Sequence, residues 1–159
     1  MRDESAEHRT RFIERFADHW ASSGASRIEG RIAGYLLLDD SEGVSAAELA
    51  EQLAISAGSV STYTRRLVEA GFVRRSRTPG GRSHRFVMDT DVWAGFLAAE
   101  QDYLRNQRQL AESTLPFVES GGRTWERLRN MQDYMQWLID ARLPAKWARV
   151  KEQRDARSE

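Results

Sequence analysis

None of the 159 residues is cysteine, which excludes a disulfide framework, a zinc ribbon and thiol redox sensing together. Histidine is nearly as scarce. His8, His19 and His84 are the only three, they are far apart, and none belongs to an HExxH or histidine-carboxylate cluster, so no metal site is expected. No apolar run approaches the roughly 18 residues that cross a bilayer. The N-terminal "MRDESAEHRT" is charged where a signal peptide would carry an apolar stretch. These absences lead to the expectation of a soluble, cytoplasmic protein without a membrane partner. Enzyme fingerprints are missing too: there is no G-x-S-x-G elbow, no G-x-x-x-x-G-K-[ST] loop and no G-x-G-x-x-G turn. Neither an enzyme nor a bound cofactor is expected.

Net charge is also absent, with 24 basic and 24 acidic residues, and on average that argues against a polyanionic partner. The distribution says otherwise. Residues 45–88 hold seven arginines against three glutamates, a net of plus four, while the remainder holds 17 basic and 21 acidic residues. A basic segment between acidic ones is the electrostatic footprint of a local polyanion site, since cationic side chains gain by displacing counterions condensed on phosphate. Charge alone is equally compatible with a solvated surface, so the local pattern has to decide.

What is present is mostly helical. Phe12, Ile13, Phe16, Ala17, Trp20 and Ala21 recur at helical spacing over residues 5–21, and "SSGAS" ends the pattern. Ile28, Ile32, Tyr35, Leu36 and Leu38 mark a second helix, closed by "DDSEG". Ser45 stands three residues before Glu48 and just ahead of Leu49 and Leu53. That is a capping-box pattern, and it predicts a short third helix over residues 45–53. A fourth helix, residues 57–70, follows with Ser56 as N-cap and Gly71 as its stop. Its core, "GSVSTYTRRL", sets four serine and threonine side chains beside two arginines. On a helical wheel Val60, Tyr63, Leu67 and Ala70 form one face, while Gly58, Ser61, Thr62, Arg65 and Glu69 form the other.

Residues 72–88 change character. Phe72, Val73, Phe86, Val87 and Met88 bracket a Pro79-Gly80-Gly81 turn, predicting a two-stranded hairpin with arginines along it. Beyond, Asp89 or Thr90 is expected to cap a long helix, interrupted by Pro116 and Gly121-Gly122, and a further helix carries Trp125, Leu128, Met131, Met135 and Leu138. Pro144 is read as the entry to a charged tail containing Trp147.

The order of helix, capped short helix, tight turn, polar-faced helix and basic hairpin is that of a winged helix-turn-helix. The fold class expected is mainly α with a small β-hairpin wing. In this arrangement the second helix of the pair enters the major groove, which at roughly 12 Å wide admits one helix. Small hydroxyl residues permit close approach, and arginine matches the bidentate edge of guanine. Duplex DNA is therefore the expected partner. Ser61, Thr62 and Arg65 are the candidates for base contact, Ser59 and Arg66 for phosphate. Arg82, beside the Gly-Gly turn, is placed to reach the minor groove. Arg75 and Arg77 are further candidates, although Arg74, Arg75, Arg77 and Arg85 alternate along the hairpin, so some must face away from DNA. The alternative is a winged helix serving as a protein interaction module without DNA.

The stretches "GASRIEGRIAGYLLL" (residues 24–38), "SAAELAEQLAISAGSVSTYTRRLVEAGFVRR" (residues 45–75) and the "PGGR" wing resemble the MarR-type winged-helix regulators, specifically the GbsR-like branch. The resemblance covers residues 10–110 and implies a homodimeric cytoplasmic transcription factor whose terminal helices interlock. It further implies repression more often than activation, relieved by a small molecule. One departure stands out. Many MarR-type wings carry an Asp-Arg pair at the tip, whereas here the pair is Gly81-Arg82, so the acid that usually orients the wing arginine is missing.

The domain organisation expected is an N-terminal dimerisation helix (residues 1–26), a DNA-binding lobe (27–88) and a C-terminal helical dimerisation region (89–159). Independent support for a homodimer comes from large apolar residues outside the lobe, Phe12, Phe16, Trp20, Trp93, Phe96, Phe117, Trp125 and Trp137, which one small lobe has limited area to cover. Two such subunits would read a pseudo-palindromic operator. Trp20, Trp93 and Phe96 are candidates to line a site for an aromatic effector; the GbsR resemblance points to a quaternary ammonium, which an aromatic cage would hold by cation-π attraction. The competing reading of these three is plain core.

Overall fold

Helix α1 (Arg2–Ser22) carries an aromatic ladder at helical spacing, Phe12, Phe16 and Trp20, with successive ring centroids 5.8 and 5.4 Å apart. A computed structural model of the chain describes it together with the rest of residues 2–77, 80, 81 and 83–158, leaving aside the side chains of residues 2 and 3. Ile13 and Ala17 are buried beneath the ladder. Helix α2 (Arg27–Leu37) lies against this face. Gly30 permits the close approach, since a Cβ there would stand 2.7 Å from the Trp20 Cβ and 2.8 Å from the Ala17 Cα. Charges clamp the pair along its edge. Glu14 accepts from Arg27 at 2.5 Å and from Arg31 at 2.9 Å, and Asp18 accepts from Arg27 at 2.8 Å. Burial pushes the Glu14 carboxyl up, but the bonds from Arg27 and Arg31 outweigh it and hold the group below its ordinary value. At the far end the Arg9 guanidinium donates to the Leu38 and Tyr35 carbonyls at the C-terminus of α2 and lies over the Tyr35 ring.

The expected capping box forms. Strand β1 (Val44–Ser45) runs into α3 (Ala46–Leu53), where the Ser45 N–H donates to Glu48 at 2.6 Å and the Glu48 N–H donates to the Ser45 hydroxyl at 3.2 Å. Ala54 in left-handed conformation, φ 50°, turns the chain into α4 (Ala57–Glu69). That helix ends in a Schellman motif: Phe72 N–H donates to the Leu67 carbonyl and Gly71 N–H to the Val68 carbonyl, with Gly71 at φ 79°. Strands β2 (Arg74–Arg77) and β3 (His84–Val87) follow, antiparallel, pairing Arg75 with Phe86 and Arg77 with His84. The hairpin was expected to be two-stranded. It is joined by β1, which pairs Val44 with Phe86, so the sheet has three strands in the order β1-β3-β2. A strand of two residues leaves no alternation to read. Ile32, Leu36, Leu49, Leu53, Val60, Leu67, Val73 and Phe86 form the core, with Phe16, Trp20 and Phe72 packed against it.

The chain divides into two compact units, Met1–Val92 and Trp93–Glu159. Helix α5 (Val92–Thr114) starts later than the expected caps allow, and Asp89, one of those caps, accepts from Arg74 at 2.7 Å. The second unit continues with a 3₁₀ turn (Leu115–Phe117) containing Pro116, then α6 (Arg123–Asp140) and α7 (Leu143–Asp155). The expected tail is thus a helix over most of its length. Pro144 sits in the first turn of α7, where its missing N–H is no loss. Within this unit the buried apolar residues are few, Leu104 and Ala111, whereas Phe117 is 87% exposed and Trp137 65%.

Candidate nucleic-acid interface

Helix α4 is held by its inner face and by its start. The Ser56 hydroxyl accepts from the Ser59 N–H at 3.1 Å and donates to the Ser59 hydroxyl at 3.0 Å, which satisfies one orphan amide of the first turn. Val60, Thr64 and Leu67 are fully buried. Thr64 was not read as part of the inner face, which was drawn from apolar residues alone. Its hydroxyl donates back to the Val60 carbonyl at 2.6 Å, so a polar side chain is accommodated inside without a lost hydrogen bond. Tyr63 and Ala70, expected on that face, are only half-buried.

The outer face carries Gly58, Ser61, Thr62, Arg65 and Glu69, all exposed. Among the described residues no ion pair or side-chain hydrogen bond engages Ser61, Thr62 or Arg65. The Ser61 carbonyl, by contrast, is within 3.4 Å of the Thr64 hydroxyl. Ser59 is half-buried and its hydroxyl is already engaged by Ser56. Arg66 flanks the row, its Nη1 3.8 Å from the Glu29 carboxylate of α2 and its guanidinium carbon 5.9 Å from the Tyr63 ring centroid. Glu29 escaped the sequence reading, although Ser26-x-x-Glu29 repeats the capping pattern of Ser45-x-x-Glu48 and could have drawn notice.

The wing arginines separate into two groups. Arg74 is bound by Asp89, and Arg85 donates to the Gly43 carbonyl at 2.8 Å and lies 3.2 Å from Glu48. Hydrogen bonds from Ser45, backbone first and hydroxyl second, with the Arg85 charge behind them, hold the Glu48 carboxyl below its ordinary value. Arg75 and Arg77 are exposed and have no such partner among the described residues. Standing two apart on β2, they share one face of the strand. Arg82, Thr78 and Pro79 at the tip lie outside the described residues.

The three aromatic effector candidates fall in different units. Trp20 packs in the first between Phe16 and Phe72, 5.1 Å from the latter, and its indole N–H is buried without a hydrogen-bond partner among the described residues. Trp93, exposed, and Phe96, half-buried, lie on α5 in the second. Among the described residues no group of three His, Asp or Glu could hold a metal ion, and no helix is long and apolar enough to cross a membrane.

A helix pair with a polar-faced second helix, closed by a three-stranded antiparallel sheet, defines a winged helix-turn-helix protein. The MarR family model matches residues 36–82, from the end of α2 into the wing. Over 131 residues the chain is 30% identical to the HTH-type transcriptional regulator MmpR5 of Mycobacterium tuberculosis, spanning 80% of this chain and 78% of that protein. A crystal structure of a transcriptional regulator superposes with a TM-score of 0.80 at 26% identity, over 89% of this chain and 99% of that one. The chain belongs to the MarR family.

Proposed function

We propose that this protein is a cytoplasmic, homodimeric transcriptional repressor of the GbsR-like branch that binds a pseudo-palindromic operator through α4 and the wing. The observation that carries the reading is the outward row Ser61, Thr62 and Arg65 on a helix anchored by Val60, Thr64 and Leu67. Short hydroxyl side chains and an exposed arginine on a rigid helix can reach base edges, and exposed Arg75 and Arg77 can neutralise flanking phosphates. Residues 27–88 are the DNA-binding lobe in this reading, and residues 1–26 and 89–159 supply the dimer. Arg82 at the wing tip is assigned to the minor groove, Ser59 and Arg66 to phosphate. A small aromatic or quaternary-ammonium effector is part of this reading; within the first unit the buried Trp20 N–H, which has no hydrogen-bond partner among the described residues, supports a ligand that brings an acceptor.

Fluorescence anisotropy with duplex from upstream of the protein's own gene, against a scrambled duplex at two salt concentrations, tests the reading. Tight, selective and salt-sensitive binding is expected. A winged helix devoted to a protein partner would bind neither duplex, and its association with that partner would vary far less with salt.

A further inference from the structure

Two helix starts in the first unit share one sequence pattern and end differently. At α3, Ser45 and Glu48 cap each other reciprocally. At α2, Ser26 has the same extended backbone, φ −74° and ψ 135° against −76° and 161° for Ser45, and Glu29 stands at the same third position. Yet the Ser26 side chain makes no cap bond. The Glu29 side chain is instead buried, 11% exposed, and paired with Arg66 of α4 at 3.8 Å. That separation is beyond hydrogen-bonding reach, so the attraction is electrostatic.

This arrangement works against the fold. Burial pushes the Glu29 carboxyl above its ordinary value, and the Arg66 charge only partly opposes it. A carboxylate that gives up an available cap to be desolvated breaks the agreement between local signal and tertiary placement, and such breaks concentrate at functional sites. The beneficiary is identifiable. Arg66 stands 3.8 Å from the Glu29 carboxylate and 5.9 Å from the Tyr63 ring centroid, while 58% of its side chain stays exposed beside the outward row of α4. A free arginine has many rotamers to lose on meeting a phosphate, and one already held has fewer.

We propose that Glu29 is a positioning residue for DNA recognition: it steers Arg66 against Tyr63, so that α4 meets the duplex with one phosphate-directed guanidinium already oriented. The inference rests on the DNA-binding reading given above.

The test compares full-length wild type, Glu29→Gln, Arg66→Ala and the double variant, each by anisotropy on the upstream and scrambled duplexes and by thermal melting. Because immobilising a long side chain opposes binding, Glu29→Gln should weaken binding to the upstream duplex roughly three- to tenfold. Its melting temperature should be unchanged or higher, and the same substitution in the Arg66→Ala background should change nothing further. In the DNA-free chain, the relaxation of the Arg66 side-chain 15Nε should report a looser guanidinium in Glu29→Gln. Undiminished binding by Glu29→Gln, an equal loss in the Arg66→Ala background, or unaltered Arg66 relaxation each overturns the inference. A wild type that binds neither duplex overturns the DNA-binding reading itself, and that failure is distinct because it precedes any substitution.

Discussion

Arg85 reaches from β3 to the Gly43 carbonyl, 2.8 Å from its Nε, while its Nη2 lies 3.2 Å from the Glu48 carboxylate at the head of α3. One guanidinium thus joins the wing, the loop before β1 and the first turn of the helix-turn-helix. The basic count of the wing overstates the charge free to meet phosphate, because Arg74 is engaged as well, by Asp89.

Arg85→Ala should therefore act on the fold. Loss of the bond to the Gly43 carbonyl alone should lower stability by about 1 kcal/mol, visible in thermal or denaturant unfolding. Arg75→Ala and Arg77→Ala should leave unfolding within about 0.5 kcal/mol of wild type and each reduce the salt slope of DNA binding by about 1. An unchanged slope in both would place β2 away from the duplex.

Arg65→Ala should relax preference at one base pair in each half-site, at about 1–3 kcal/mol per readout pair. Competition among duplexes carrying single substitutions checks it. Wild-type discrimination retained in the variant would show that another residue of α4 reads the bases.

The capping box gives a pH-dependent prediction. The Glu48 carboxyl is held below its ordinary value by Ser45 and Arg85, so its folded-state pKa lies under the unfolded one. Its contribution is therefore present above the ordinary carboxylate value of 4.5 and lost as pH falls through the lower folded value. Glu48→Gln should flatten this acid limb, measured as stability against pH below about 5. Ser45→Ala should remove about 1 kcal/mol at neutral pH through the lost cap. An acid limb unchanged in Glu48→Gln would assign it to other carboxylates, Glu14 foremost, whose pKa is also lowered.

The legible parts of this fold were those decided locally. The Ser45 and Glu48 box, the Ser56 cap and the Gly71 stop each lie within a few residues of their partners, and the outward row of α4 follows from helical period alone. Two of the missed features depend on residues distant in sequence. The β1 pairing joins Val44 to Phe86, and Asp89, expected to cap α5, is engaged by Arg74. Thr64 was passed over because a buried hydroxyl is invisible to an apolar pattern until its carbonyl partner is known. Glu29 is the sharpest case: its local pattern points to a cap, and only the packing of α2 on α4 redirects it. The α7 helix was read as a tail because charge and a proline obscured the helix start that Pro144 favours.

The second unit carries the last prediction. Its buried apolar residues are few, yet Phe117, Leu110, Tyr103, Tyr134 and Trp137 are all exposed, and Tyr134 and Trp137 lie together on α6 with ring centroids 6.2 Å apart. Exposed apolar surface of that kind marks an interaction site, and a second copy of the chain would cover it with the same surface by two-fold symmetry. Light scattering at micromolar concentration should give a dimer, with a melting temperature that rises with protein concentration. Trp137→Glu should shift the mass toward monomer and weaken binding to a two-half-site duplex more than to a single half-site, since only a dimer engages both halves at once. A monomeric wild type removes the dimer from the proposed function. A dimer undisturbed by Trp137→Glu keeps the dimer but moves its interface off this face of α6, leaving the remaining exposed residues of the unit to be tested in turn.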